Sequence, residues 1–172
     1  MIHNRQDMMP TTMQILIVDD EVANVELFAS FAAGAGRDIT TCTSSLEAYS
    51  RIAAKPPDLL ITDIVMPQLD GLSLVSEARR IDPHFEAIVI TGFASRYTLD
   101  EVLQCGASDL ILKPVRMKEF QARVDLALER RRAFLGHCAR HRELQATSAE
   151  MIEGLERELV AAARLTGPRG RN

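Results

Sequence analysis

Short apolar runs alternate with stretches of helical spacing through the first two thirds of the chain. The runs stop after a few positions at turns or charged residues, a pattern typical of strands buried in a parallel sheet. It predicts five strands, at Gln14–Val18, Asp38–Thr43, Leu59–Thr62, Ala87–Thr91 and Leu110–Leu112. It predicts helices at Val22–Ala33, Ser44–Ala54, Leu72–Ile81 and Ser95–Cys105, and a long helical pattern from Met117. This alternation indicates an α/β fold with helices on both faces of a parallel sheet.

Polar side chains stand where these predicted strands end. Asp19 and Asp20 follow the first strand and Asp63 follows the third. Thr91 ends the fourth strand and Lys113 follows the fifth. Since ligands of open α/β sheets bind beyond the carboxyl ends of the strands, we expect these five side chains to meet at one rim of the sheet.

The residue types at this rim suit phosphoryl transfer. Clustered carboxylates repel one another unless a cation lies among them, and Mg²⁺ takes one or two carboxylates together with a phosphate oxygen. Asp63 can then attack a phosphoryl group as a nucleophile. Lys113 supplies positive charge and the Thr91 hydroxyl a hydrogen bond to the transferring group. The carbonyl of Val65 is close enough along the chain to complete the metal shell.

Composition and charge narrow the class of protein. The hydrophobic fraction of 47% supports a sizeable core, and no apolar run is long enough for a membrane span. The polar N-terminus lacks the apolar segment of a secretory signal, and three widely spaced cysteines argue against a disulfide framework, so we expect a cytoplasmic protein. Residues 1–113 carry a net charge of −8 and residues 114–172 a net charge of +4. The first part therefore has the spare carboxylates that a cation site requires.

Four segments resemble the receiver domain of two-component response regulators over roughly 120 residues. They are ILIVDDE (15–21), LLITDIVMPQLDG (59–71), VITG (89–92) and LKP (112–114). The resemblance implies a flavodoxin-like, doubly wound five-stranded sheet of order 2-1-3-4-5. It implies that Asp63 is the phosphoacceptor, that Asp19 and Asp20 hold Mg²⁺, and that Thr91 and Lys113 bind the phosphoryl group. It also implies a cis Lys113–Pro114 bond. We expect Asp63 and the Val65 carbonyl to complete the metal shell.

Two departures from the family pattern bear on signalling. Leu110 stands where the family usually has an aromatic residue that moves with the threonine, so the switch between Thr91 and residue 110 is in question. Gly92 stands where a small Ala or Ser is common, and Phe93 follows it. We expect Val65 and Phe93 to flank the approach to Asp63 and to slow hydrolysis of a phosphorylated aspartate.

The chain continues past the usual end of such a domain. We divide it into a tail (1–13), a receiver domain (14–132) and a helical extension (133–172). Thr147–Glu150 resembles a capping box, which predicts a second helix there, and Ile152, Leu155, Leu159 and Ala162 follow a 3-4-3 rhythm that ends at Gly167-Pro168. This stripe favours burial against a second copy or another protein, as a homodimer or a partner complex, with packing on its own receiver domain as the alternative.

Other side chains of the last sixty residues suggest further chemistry only faintly. His137, Cys138 and His141 lie within about one helical turn, but a zinc site lacks a third clear ligand, and phosphotransfer on His141 is a minor alternative. The run Arg130–Arg132 is followed by no DNA-binding motif, so we expect it to be solvated or partner-facing and expect no direct DNA binding.

These patterns predict a phosphorylation-dependent binding module, without catalytic output beyond its own phosphorylation and dephosphorylation. We expect a histidine kinase or phosphotransfer protein as the phosphodonor and Mg²⁺ as the cofactor, with no membrane contact. One alternative is the receiver fragment of a longer regulator with an enzymatic effector, such as an HD-GYP phosphodiesterase or a cyclase. A degenerate receiver used only for dimerisation is the other.

Overall fold

A computed structural model describes residues 12–92 and 99–165. Their five strands form one parallel sheet of order β2-β1-β3-β4-β5, which confirms the predicted flavodoxin-like topology. The strands are β1 (Met13–Val18), β2 (Arg37–Cys42), β3 (Leu59–Asp63), β4 (Glu86–Thr91) and β5 (Asp109–Leu112). The predicted strands lie within one residue of these bounds at either end.

The helices alternate with the strands as predicted. They are α1 (Val22–Ala32), α2 (Ser45–Ala54), α3 (Gly71–Ile81), α4 (Leu99–Gln104) and α5 (Met117–Leu165). The predicted fourth helix began at Ser95, which lies outside the described residues, as do Phe93, the tail to residue 11 and Gly167-Pro168.

The prediction of a second helix at Thr147–Glu150 is wrong, because α5 continues through this segment as a single helix of 49 residues. The Thr147 hydroxyl donates to the Glu143 carbonyl at 3.0 Å, one turn back, rather than accepting from an amide at a helix start. Residue types that often cap the start of a helix therefore lie in the interior of a helix here.

The described residues divide into two compact units, one up to Phe134 and the other from Leu135 onward. The first unit holds the whole sheet. Its central strands are buried on both faces, as the apolar runs predict, since Leu60 and Ile61 face opposite ways and are both fully buried. The Phe120 ring at the start of α5 stacks on Phe28 of α1 with centroids 5.6 Å apart, so α5 begins in the core.

Candidate phosphoacceptor site

Three carboxylates converge at the carboxyl end of the sheet. Asp19 and Asp20 follow β1 and Asp63 ends β3, and β1 pairs directly with β3. One oxygen of each carboxylate lies within 4.8 Å of those of the other two. Asp19 is buried, Asp63 is half-buried and Asp20 is exposed, so the cluster opens to solvent on one side.

Lys113, just past β5, brings its ammonium group into this cluster. Its Nζ donates to Asp63 Oδ2 at 2.8 Å and to Asp19 Oδ2 at 3.0 Å. Burial of the ammonium works against its charge, but the hydrogen bonds that it donates to Asp63 and Asp19 outweigh that cost and raise the pKa of Lys113. The lysine therefore stays charged and bridges the two carboxylates. The Lys113–Pro114 bond is cis, as the resemblance implies.

Asp19 accepts hydrogen bonds from other donors besides Lys113. The side-chain amide of Asn24 donates to both carboxylate oxygens, at 3.0 Å and 3.1 Å, and the Glu21 backbone N–H donates to Oδ1 at 3.0 Å. Asn24 is a site residue that the sequence patterns do not identify. Its position in the first helix, about one turn beyond the acidic pair, is the signal that was available.

Backbone groups fix Asp63. The Ile64 N–H donates to Asp63 Oδ1 at 2.7 Å, and the Thr62 hydroxyl donates to the Asp63 carbonyl at 2.9 Å. The Gly71 N–H, at the start of α3, donates to the Ile64 carbonyl at 3.0 Å. The phosphoacceptor candidate is thus tied both to its own strand and to the helix that follows.

A buried serine organises the loop after β3. The Ser45 hydroxyl donates to the Pro67 carbonyl at 2.7 Å and accepts from the Leu69 N–H at 3.3 Å. Gln68 between them takes a positive φ of 70°, so the loop turns sharply. At its end, Asp70 caps α3 by accepting from the Ser73 N–H at 2.7 Å. The sequence predicts a turn here but does not identify Ser45 as the residue that holds it.

Thr91, Val65 and Leu110 are the remaining predicted site residues. Thr91 is buried at the end of β4, and its carbonyl accepts from the Lys113 N–H at 2.9 Å. Val65, two residues after Asp63, is 36% exposed. Leu110 is half-buried and packs against the main hydrophobic cluster. The switch between Thr91 and Leu110 and the shielding by Val65 and Phe93 stay predictions, the latter because Phe93 lies outside the described residues.

The prediction for the arginine run is wrong at its centre. The Arg131 side chain is only 8% exposed, and it donates to Asp58 Oδ1 at 3.1 Å and to Asp82 Oδ2 at 2.7 Å. Its neighbour Arg130 pairs with Glu86 at 3.0 Å. Asp58, before β3, and Asp82, after α3, thus pair with a buried guanidinium that the sequence alone predicts to be exposed.

The extension offers no second metal site within the part of the chain that the structure describes. There, the acidic, histidine and cysteine side chains close enough to share an ion are Asp19, Asp20 and Asp63. His137 and His141 are exposed and Cys138 is half-buried. Nor is any described helix long and apolar enough to span a bilayer.

Comparison with known proteins points to one family. The family model described as "Response regulator receiver domain" matches residues 15–125. The transcriptional regulatory protein ZraR of Salmonella typhimurium is 28% identical over 116 residues, which are 67% of this chain and 26% of that protein. The alkaline phosphatase synthesis transcriptional regulatory protein PhoP of Bacillus subtilis is 31% identical over 117 residues, 68% of this chain and 49% of that protein.

A solved structure agrees with these matches. The CheY-like response regulator receiver domain protein of Methanospirillum hungatei superposes with a TM-score of 0.65 at 26% identity, over 70% of this chain and 96% of that one. By contrast, the chain spans between about a quarter and a half of the length of the two curated relatives.

Proposed function

Since the chain belongs to the response-regulator receiver family, we propose that it is a phosphorylation switch whose phosphoacceptor is Asp63. A histidine kinase or a phosphotransfer protein supplies the phosphoryl group. The convergence of Asp19, Asp20 and Asp63 within 4.8 Å, with the Lys113 ammonium between two of them, is the observation that carries this proposal.

The acidic cluster fits a magnesium ion. Hard carboxylate oxygens in a cluster open to solvent are the donors that Mg²⁺ takes while it keeps several waters. Asp19, Asp20, Asp63 and the Val65 carbonyl would hold it. When bound, Mg²⁺ supplies positive charge to the oxygens of the transferring phosphoryl group.

The chain's own residues have distinct parts in the transfer. A carboxylate oxygen of Asp63 attacks phosphorus while the bond from phosphorus to the donor's histidine nitrogen breaks. The electron pair of that bond returns to the histidine, so the transfer needs no other reactant. Lys113, already 2.8 Å from Asp63, neutralises a phosphoryl oxygen, and the Thr91 hydroxyl donates a hydrogen bond to another.

The output is a change in protein contacts rather than a reaction. A phosphoryl group on Asp63 favours the state in which Thr91 and the loop after β4 move towards it, which shifts an existing equilibrium. The C-terminal part of α5, with its exposed apolar side chains, makes the contact with a second copy or another protein. The protein acts in the cytoplasm and has no catalytic activity beyond its own phosphorylation and dephosphorylation.

Direct DNA binding is not part of this proposal. The relatives named above are transcriptional regulators by name, but the chain spans only part of each. The described residues beyond its receiver domain, 133–165, all lie in one helix. The names of these relatives give no support to a phosphodiesterase or cyclase effector. The complete acidic cluster argues against a degenerate receiver.

The test is phosphorylation by a small-molecule donor such as acetyl phosphate in Mg²⁺, followed by intact-mass spectrometry. We expect the wild type to gain one phosphoryl group and Asp63→Asn to gain none. Asp38→Asn, which alters an exposed carboxylate on β2, is the matched control and should behave as the wild type.

Light scattering with beryllium fluoride then tests the switch itself. Beryllium fluoride with Mg²⁺ mimics the phosphoryl group on Asp63, so we expect a change in mass or shape that Asp63→Asn abolishes. Modification of Asp63 without any such change would contradict the switch while leaving the phosphoacceptor in place.

A further inference from the structure

The last part of α5 exposes a row of large apolar side chains. Ile152, Leu155 and Leu159 are 57%, 60% and 73% exposed, and Leu144 and Met151 are exposed to a similar degree. All residues from 140 to 161 are exposed. A helix that is left to itself gains little stability in water, because most helical stability in proteins comes from packing an apolar face. We therefore expect this apolar face to pack against a partner.

The spacing of these residues identifies the kind of partner. Ile152, Leu155 and Leu159 follow steps of three and four, the heptad rhythm in which a and d positions meet another helix. Continued towards the N-terminus, the same register places Gln145 at a and Ser148 at d. A 3.5-residue repeat keeps one seam facing a second helix along its whole length.

We propose that two copies of this chain pair through residues 138–159 of α5 as a parallel, in-register, two-stranded coiled coil. This pairing deepens the proposed function, since it names the contact through which the switch would act. Isoleucine at a and leucine at d, as at Ile152 and Leu155, favour two parallel strands, and a polar side chain at a, as at Gln145, sets the register.

Parallel pairing sorts the layers by polarity. In register, Ile152, Leu155 and Leu159 each meet their own counterpart, which makes three consecutive apolar layers. Each remaining layer, towards the N-terminus, also pairs identical side chains, so each polar one faces a group that can accept or donate a hydrogen bond. These layers are formed by Cys138, His141, Gln145 and Ser148. The flanking positions place Met151 beside Glu156 of the second copy and oppose no two acidic residues there.

Antiparallel pairing about the same seam mixes these layers. It would set Gln145 against Leu155 and Ser148 against Ile152, twice each, and leave those polar groups buried without a partner. In its favour, it would bring Arg142 beside Glu156 of the second copy. An exposed ion pair contributes little, whereas an unsatisfied buried polar group costs more, so the balance favours the parallel arrangement.

The first experiment is sedimentation equilibrium of the full chain, with and without beryllium fluoride and Mg²⁺. We expect the mass of two copies in at least one of these conditions. Leu155→Lys places a charge in an apolar layer and should raise the dimer dissociation constant by about a hundredfold or more. Ala146→Lys adds the same charge on the outward face and should leave the constant unchanged, with equal helix content by circular dichroism.

The second experiment determines orientation by disulfide trapping. Cys42, Cys105 and Cys138 are replaced by alanine, and His141→Cys is introduced at a d position. In the parallel dimer the two new thiols face each other and should link on mild oxidation, whereas Arg140→Cys, one residue away on the outer face, should not. In the antiparallel dimer residues 141 lie about 27 Å apart along the seam. Cross-linking only between His141→Cys and Leu159→Cys chains would overturn the parallel orientation.

The outcomes separate this inference from the proposed function. A monomer in both conditions overturns the pairing even if beryllium fluoride changes the protein's shape, and the switch then acts by another contact. A dimer that Leu155→Lys does not weaken also overturns it. A dimer that breaks as expected but ignores beryllium fluoride supports the pairing and counts against the switch.

Discussion

Gly71 stands so close to Asp63 that a β-carbon at residue 71 would lie 1.9 Å from the Asp63 carbonyl oxygen. No side chain fits at that distance, so the first turn of α3 packs directly on the backbone of the phosphoacceptor candidate. The Gly71 N–H also donates to the Ile64 carbonyl, the next one along. The position of the carboxylate and that of α3 are therefore coupled through backbone atoms alone.

Gly71→Ala should damage the site. The methyl group forces the backbone of α3 away from Asp63, which we expect to lower the free energy of unfolding by about 2 kcal/mol and to reduce the rate of phosphorylation by acetyl phosphate. Urea unfolding and intact-mass spectrometry measure the two effects.

Gly154→Ala is the matched control, because nothing beyond the neighbouring residues and the backbone of its own helix lies within 4 Å of a β-carbon there. It should leave phosphorylation unchanged and stabilise the helix by roughly 0.5 to 1 kcal/mol. Equal effects of both substitutions on phosphorylation would contradict the coupling.

Asn24 should affect the metal affinity of the site through Asp19. Its amide holds both oxygens of that carboxylate, and loss of such an outer partner typically weakens metal binding by about 10- to 100-fold. We expect Asn24→Ala to raise the Mg²⁺ dissociation constant by at least about tenfold, measured by isothermal titration calorimetry. Ser30→Ala, on the exposed face of the same helix, should change nothing. An unchanged Mg²⁺ affinity in Asn24→Ala would show that Asp19 is positioned without it.

Arg131 should contribute strongly to stability. Its removal leaves Asp58 and Asp82 without their shared cation, and breaking a buried pair from one side typically costs about 3 kcal/mol or more. We expect Arg131→Met to lower the free energy of unfolding by about that amount in urea titrations. Arg132→Met, at an exposed neighbour, should change it by less than about 0.5 kcal/mol. Similar losses in the two variants would contradict a special part for Arg131.

The same pair predicts a pH dependence. Burial alone would raise the pKa of Asp82. The hydrogen bonds donated by Arg131 and by the His84 backbone N–H, together with the positive charge of Arg131, outweigh it, so the folded-state pKa lies below the ordinary value. A depressed pKa stabilises the fold above about pH 4, the unfolded value, and this contribution disappears as pH falls through the lower folded value. The stability difference between wild type and Asp82→Asn should therefore be constant from pH 7 to 5 and shrink below about pH 4. A difference that grew on acidification would have the wrong sign.

The rim could be predicted from sequence because two simple rules compose. Apolar runs locate the strands, and parallel strands end on the same side, so Asp19, Asp63 and Lys113 had to come together. Asn24 was not predicted, because a single amide on an amphipathic helix gives no periodic signal. The burial of Arg131 was not predicted for a different reason. Its burial depends on Asp58 and Asp82, which are distant in sequence, and a run of three arginines looks solvated until those partners are placed.

Helix boundaries show a further limit. Thr147 and Glu150 have the identities of a capping box, yet the helix passes through them because the backbone on the N-terminal side is already helical. Side-chain identity then decides only which carbonyl the Thr147 hydroxyl bonds. Local signals specify where a helix starts only when nothing upstream has started one.

The Lys113 ammonium also sets the electrical balance of the rim. Three carboxylates and one ammonium leave the cluster two positive charges short, when all four groups are ionised. One divalent cation makes up that difference. This charge count therefore supports the proposal of a single divalent cation at the rim. In the proposed function, phosphorylation of Asp63 would add negative charge beyond this balance.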